Sequence, residues 1–265
     1  MPTESSIRTD PSSRIDSLNG KLALVTGGSR GIGRCIANTF LASGAKVITC
    51  GRTGRPKDLA KDITWLSCDV ANAAAVKKLQ KEITKDHGKL SILVNNAGVQ
   101  IEKTVLDTTD EDWDLLMGVN ARGVFECCKA FIPTMKSGAS IINIGSISGR
   151  LADPELALYN ASKAFVHGLT RSIAVDHGEL VRCNAILPGW IMTEMADAAF
   201  DLANDPAAAK KDALSRHPVG RFGEPQDIAN MALWLASDAS SFANGQCFTI
   251  DGGMTSASPL NPGLF

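Results

Sequence analysis

Tyr159 and Lys163 stand four residues apart in a stretch of helical period, which sets a phenol and an ammonium on one helix face about one turn from each other. That spacing suits proton transfer. A free phenol titrates near ~10, too high to exchange a proton readily at neutral pH, and a neighbouring cation favours the phenolate and draws the value down. Tyr159 is the only tyrosine of the chain. Ser146, at the end of an apolar run upstream, precedes this helix by a short loop and offers a hydroxyl to a substrate oxygen, with Ser148 as its rival. Alone, a loop serine is a turn former, and Ser146 gains weight only from its company. Asn120 falls inside a long helical stretch that its side chain does not favour. It reads equally as a satisfied core amide or as a polar group that distorts the helix and organises water near Lys163.

A second constellation lies near the start of the chain. Thr26-Gly27-Gly28-Ser29-Arg30-Gly31-Ile32-Gly33 directly follows an apolar run and opens a helical stretch. Glycines allow a tight turn and close backbone approach, while a helix N-terminus presents free N–H groups and a positive dipole end to a pyrophosphate. The spacing is G-x-x-x-G-x-G, so its place between strand and helix is what favours a dinucleotide over a bare turn. The next apolar run ends Thr49-Cys50-Gly51-Arg52, without an acid to accept from a ribose 2′-hydroxyl. Arg52 and Arg30 carry forked donors suited to a 2′-phosphate; each alone reads as a surface residue, and together they favour NADP(H). Asp69 and Val70 could meet the adenine or cap a helix. Asn95-Asn96-Ala97-Gly98 is a small polar loop that admits a ligand to the backbone, or simply a turn.

Short β-branched runs must carry these loops, and they alternate with helical segments as in a parallel sheet covered on both faces. The runs are Leu22 to Thr26, Lys46 to Cys50, Ile63 to Ser67, Ser91 to Asn95, Ser140 to Gly145, Arg182 to Leu187 and Gln246 to Ile250. Helices are expected over Gly31 to Ser43, Asn72 to His87, Asp110 to Lys136, Glu155 to Gly178 and Glu224 to Ala236. The pattern predicts an α/β fold: one doubly wound, Rossmann-type domain over 18–265 with a seven-stranded parallel sheet. Residues 1–17 are polar, carry Pro2 and Pro11 and read as a flexible extension. The segment 190–223 breaks the alternation and is long for a connection, which suggests a lid or substrate loop.

With 27 basic and 28 acidic residues and no polybasic cluster, neither nucleic acid nor a membrane surface is an expected partner. No apolar run reaches membrane-spanning length. The seven cysteines are scattered and form no C-x-x-C pair, so disulfides and zinc are not expected, and a reducing, cytoplasmic setting is. His87, His167, His177 and His217 lack metal-ligand spacing and read as helix-end or surface residues; no catalytic metal is expected.

Taken in order, Thr26 to Gly33, Asn95 to Gly98, Asn120, Ser146, Tyr159 to Lys163, Pro188-Gly189 with Thr193, and Asp251-Gly252-Gly253 resemble the short-chain dehydrogenase/reductase family over nearly all of Leu18 to Met254. The resemblance implies a Ser-Tyr-Lys-Asn tetrad of Ser146, Tyr159, Lys163 and Asn120. In it Lys163 also holds the nicotinamide ribose and Asn120 anchors a water linked to Lys163. Pro188, Gly189, Ile191 and Thr193 would line the nicotinamide side, and Gly51 stands where NAD-preferring members usually carry Asp. The implied reaction is hydride transfer between NADP(H) and a small-molecule carbonyl or secondary alcohol, with Tyr159 donating the proton. A non-catalytic NADP-binding sensor on the same fold is the alternative, and it has no need of Tyr159 beside Lys163 and Ser146. Epimerisation or dehydration, a third option, belongs to generally longer relatives.

Substrate walls are expected from Val99 to Ile101, Ile147 to Leu151, Trp190 and Met192 to Phe200, with Gln100 and Glu194 as candidate polar handles. Arg150 reads as an exposed loop arginine before a handle for an anionic substrate. Ala161, Ala164, Gly168 and Ser172 form a small-residue stripe opposite Tyr159. Since the family pairs this helix across dimers within tetramers, a homo-oligomer is expected.

Overall fold

A computed structural model describes residues 17–257; the expected extension, apart from Ser17, lies outside the described residues. Seven strands form one sheet in the order β3-β2-β1-β4-β5-β6-β7: β1 (Leu22–Thr26), β2 (Lys46–Gly51), β3 (Thr64–Ser67), β4 (Ile92–Asn95), β5 (Ala139–Ile144), β6 (Val181–Pro188) and β7 (Cys247–Ile250). Every pairing is parallel, and β1 lies between β2 and β4, with Leu24 opposite Ile48 on one side and Leu93 on the other. The strand order reverses at β1 and β4, where a doubly wound sheet opens a crevice beyond its carboxyl ends.

The strands are apolar without alternation because both faces are covered. In β1, Leu22 and Leu24 join a core with α2 (Ala73–Asp86), α4 (Val124–Phe131) and α5 (Ala157–Asp176). Ala23 and Val25 point the other way, into a core with α1 (Gly31–Ala42) and α8 (Pro225–Ala236). Pro225 opens α8 at a position needing no N–H, and the Asp227 carboxylate accepts from the Glu224 N–H at 2.8 Å.

Two expectations are corrected. The helix expected over Asp110 to Lys136 is broken into α3 (Asp110–Met117), a π-helical turn (Gly118–Gly123), α4, and a 3-10 turn (Ile132–Thr134). The widened turn lies against the segment before α2. A Cβ on Gly123 would stand 3.2 Å from the Val70 carbonyl oxygen, closer than an ordinary side chain allows. The second correction concerns 190–223, which folds as α6 (Glu194–Asp201) and α7 (Pro206–Ser215). Both begin on side-chain caps: Thr193 accepts from Ala196 N–H at 3.4 Å and Asp205 from Ala208 N–H at 3.0 Å. The two ends of the excursion are pinned together, Gly223 N–H donating to Trp190 O at 2.9 Å and Met192 N–H to Gly223 O at 2.9 Å.

Candidate active site

Beyond the carboxyl ends of the strands lies a cavity of about 350 Å³. Its lining includes Ser146, Tyr159 and Lys163 together with Gly27, Arg30 and Arg52 of the cofactor candidates, while Asn120 does not line it.

The glycine turn forms one end. Gly27 and Gly31 have left-handed backbones (φ 70° and 54°), which only glycine adopts without strain. A side chain on Gly28 would run into Thr49 of β2, and one on Gly33 into the Asn96 amide. The Asn96 amide donates to Thr26 O at 2.9 Å and Gly27 O at 3.1 Å, and Thr26 Oγ1 accepts from the N–H groups of Asn96 and Ala97 at 3.0 and 3.1 Å. The small polar loop after β4 thus braces the glycine turn as well as lining the cavity. From outside, Arg34 donates to the carbonyls of Gly28 and Ser29 at 3.0 and 2.6 Å, a buttress the sequence pattern did not reveal.

This end is built to receive an anion. At the N-terminus of α1, Arg30 is in extended conformation and makes no side-chain cap, and the first turn carries no acid. The orphan N–H groups and the positive dipole end thus have no partner from their own helix, and the nearest carboxylate beside Gly31 is that of Glu194. Arg30 and Arg52 are exposed and line it. Asp69 lines the cavity and its carboxylate accepts from Ala71 N–H at 3.0 Å, whereas the cap of α2 is Asn72, whose side chain accepts from Ala75 N–H at 3.0 Å. Cys50 and Cys68 also line this half, with Gly51 between Arg52 and Cys50, and neither cysteine was expected there.

At the other end, α5 brings Tyr159 and Lys163 to the cavity and the turn after β5 brings Ser146. Lys163 is buried and its ammonium donates to Ile144 O at 3.0 Å, tying α5 to the end of β5. Burial pushes Lys163 down to about 8. Burial pushes the Tyr159 phenol up to about 12, and the Asp153 carboxylate adds to the rise. The group that draws it down is the Ser146 hydroxyl, while the Lys163 cation stands over the ring at 5.4 Å from its centroid.

Asn120 is buried in the π-helical turn, and its side chain is spent on protein partners. It accepts from Val99 N–H at 2.9 Å and donates to Val99 O at 2.8 Å and Ser162 Oγ at 3.2 Å. Of the two readings open from sequence, its side chain takes the first, a satisfied amide that clamps the loop after β4 to α5. The helix distortion of the second reading is also present.

On the substrate side Val99, Gln100, Ile147, Trp190 and Met195 line the cavity, joined by Asp153 and Leu156, which sequence reasoning missed. Arg150 takes its reading as an exposed loop arginine: it donates to Thr249 Oγ1 at 3.2 Å and Cys247 O at 3.3 Å and does not line the cavity. Ile101 and Leu151 do not reach it either. Trp190 is backed by Phe200, stacked at 4.8 Å between centroids, and Phe200 meets Phe222 at 5.8 Å. Of the histidines expected at helix ends or at the surface, His217 does follow the end of α7, but it and His167 are buried.

Residues 27–255 match the family model described as enoyl-(acyl carrier protein) reductase. An NADP-dependent (R)-specific alcohol dehydrogenase of Lentilactobacillus kefiri is 40% identical over 253 residues, spanning 91% of this chain and 98% of the relative. A 3-oxoacyl-[acyl-carrier-protein] reductase of Thermotoga maritima is 36% identical over 248 residues, spanning 89% and 98%. Among solved structures, a gluconate 5-dehydrogenase from Burkholderia cenocepacia in complex with NADP and tartrate matches with a TM-score of 0.85 and 34% identity, over 92% of this chain and 98% of that one. With full-length similarity, a seven-stranded sheet in this order and the Ser146, Tyr159 and Lys163 side chains on one cavity, the chain belongs to the short-chain dehydrogenase/reductase family.

Proposed function

We propose that the protein transfers a hydride between NADP(H) and the carbonyl or secondary alcohol of a small molecule, with Ser146, Tyr159, Lys163 and Asn120 acting as a set. The observation that carries this reading is that Ser146, Tyr159 and Lys163 share one cavity with an uncapped helix N-terminus and two exposed arginines. The fit to NADP(H) is chemical: free N–H groups for the pyrophosphate, Arg30 and Arg52 for a 2′-phosphate, and no acid where β2 ends. Relatives described as NADP-dependent or solved with NADP support it. Once bound, the nicotinamide supplies or takes up the hydride.

Tyr159 gives its proton to the oxygen that gains charge as the carbonyl is reduced, and the Ser146 hydroxyl stabilises that oxygen. Lys163, charged at neutral pH, places a cation beside the phenol and within reach of a ribose hydroxyl. Asn120 acts by fixing the loop after β4 against α5, and the irregular backbone of its π-helical turn is where a relay water would be held. Pro188, Gly189, Ile191 and Thr193 line the same cavity and would bound the nicotinamide side. Burial raises the Tyr159 phenol and so keeps it protonated at neutral pH, the form that donates in carbonyl reduction. Alcohol oxidation, which needs the phenolate, should climb as pH rises toward the alkaline range.

We further infer a homo-oligomer built on α4 and α5, where Ala161, Ala164 and Ser172 are exposed beside Phe125 and Phe165; a monomer by light scattering would contradict it. The α6 and α7 excursion is read as the substrate loop of this single domain, and the seven free thiols support a reducing, cytoplasmic setting.

The test offers NADPH or NADH with an aryl methyl ketone, an acetoacetyl thioester or 5-ketogluconate and follows loss of the reduced nicotinamide absorbance. Turnover with NADPH well above NADH is expected. Tight NADPH binding with no turnover of any ketone would favour a sensor.

A further inference from the structure

We propose that His167 is a positioning residue that holds the 145–149 turn, and with it the Ser146 hydroxyl, in place against Tyr159. This inference rests on the role given above to Ser146.

Tyr159, Lys163 and His167 follow one another at four-residue intervals on α5, so the three share a face one turn apart. Each addresses the chain leaving β5. Tyr159 faces the Ser146 hydroxyl, Lys163 binds Ile144 O at 3.0 Å, and the His167 ring lies beneath the turn itself. A Cβ on Gly145 would stand 2.8 Å from His167 Nε2 and 3.1 Å from its Cδ2, and one on Gly149 would run into the Cε1 atom. The imidazole occupies the space that side chains at those two positions would need. Turn and ring therefore fit each other at contact distance on both sides of Ser146.

The opposite side of the turn is held by polar contacts. Ser148 N–H donates to Ser146 Oγ at 3.1 Å, and the Ser148 hydroxyl donates to the Asp153 carboxylate at 3.0 Å. His167 packs its ring against the other side of this turn. It does so at a cost that an aliphatic side chain would avoid: it is 5% exposed, and its Nε2 has no hydrogen-bond partner. Burial, with the cations of Arg150, Lys163 and Arg171, keeps the ring neutral by pushing it down to about 4, while the Ser146 main chain pulls the other way. A neutral ring can sit one turn from the Lys163 ammonium without opposing it.

Four variants test the assignment, with the ketone panel named above, NADPH binding, and the 13Cζ resonance of the single tyrosine, which needs no substrate. His167→Ala should lower kcat about tenfold or more, leave the NADPH dissociation constant within about twofold, and move the Tyr159 resonance in the same direction as Ser146→Ala does. With Ser146 displaced, the phenol loses the group that lowers it, so the alkaline limb of alcohol oxidation should shift to higher pH. Gly145→Ala should also lose activity, and adding His167→Ala to it should restore part of that loss, because the ring is what the new methyl meets first. An inactive Ser146→Ala beside a His167→Ala variant with unchanged kcat, pH limb and tyrosine resonance would overturn this inference alone. A fully active Ser146→Ala would instead overturn the catalytic reading on which it rests. Failure of the double variant to exceed Gly145→Ala, or a loss of kcat matched by an equal loss of NADPH affinity, would also count against it.

Discussion

Around the glycine turn nearly every group is fixed by another: Asn96 ties Thr26 and Gly27, Arg34 ties Gly28 and Ser29, and Thr49 leaves no room for a side chain on Gly28. Across the cavity, the ends of the excursion from Trp190 to Gly223 are bridged to each other at Ile191 and Gly223. The excursion meets the body where Val219 N–H donates to Gly252 O at 3.2 Å and Arg221 pairs with Asp227 at 2.7 Å, and stacked rings stand behind Trp190. The first region is a rigid anion cradle held by backbone hydrogen bonds. The second is an excursion whose wall, the Trp190 ring, is backed by the stacked Phe200 ring. Cofactor recognition and substrate recognition should therefore respond to different substitutions.

The largest separation is expected from the cradle. Replacing Arg30 and Arg52 together by Ala should reduce the preference for NADPH over NADH by about a hundredfold or more, since each charge-assisted contact to a phosphate contributes roughly 1.5–3 kcal/mol. The Michaelis constant for the ketone should hardly move. If the cofactor ratio stays as it was, the 2′-phosphate does not lie between these two side chains. A smaller effect is expected across the cavity. Phe200→Ala removes the ring stacked on Trp190 and should raise the ketone Michaelis constant about three- to tenfold, in line with roughly 0.5–1.5 kcal/mol for such a pair. An equal weakening of NADPH would show that the two regions are coupled after all.

The same contrast explains what could be read from the residues in order. The cradle was legible because its chemistry is local: a strand, glycines at fixed offsets and a helix start lie within one short stretch. The sheet followed from unbroken apolar runs, with β2 and β6 a residue longer at their carboxyl ends than expected. What stayed hidden depends on contacts across the chain. Arg34 and Asp153 carry no signature of their own, and their roles come from partners that only the fold supplies. The π-helical turn around Asn120 was foreshadowed by an asparagine in a helix, but its extent reflects close packing of Gly123 on Val70. The short helices α6 and α7 did carry start signals in Thr193 and Asp205-Pro206, which a search for long amphipathic segments passes over. His167 reads as polar and peripheral, yet it faces two glycines far upstream that leave room for its ring.

The central claim is that Tyr159 delivers the proton. Because it is the only tyrosine, Tyr159→Phe removes every phenol from the protein while keeping the ring. The decisive measurement is single-turnover NADPH oxidation by this variant with the best ketone of the panel, alongside its NADPH dissociation constant. The account predicts a fall of roughly 10²–10⁴ in the rate with NADPH binding nearly unchanged. Turnover close to that of the parent protein would contradict it.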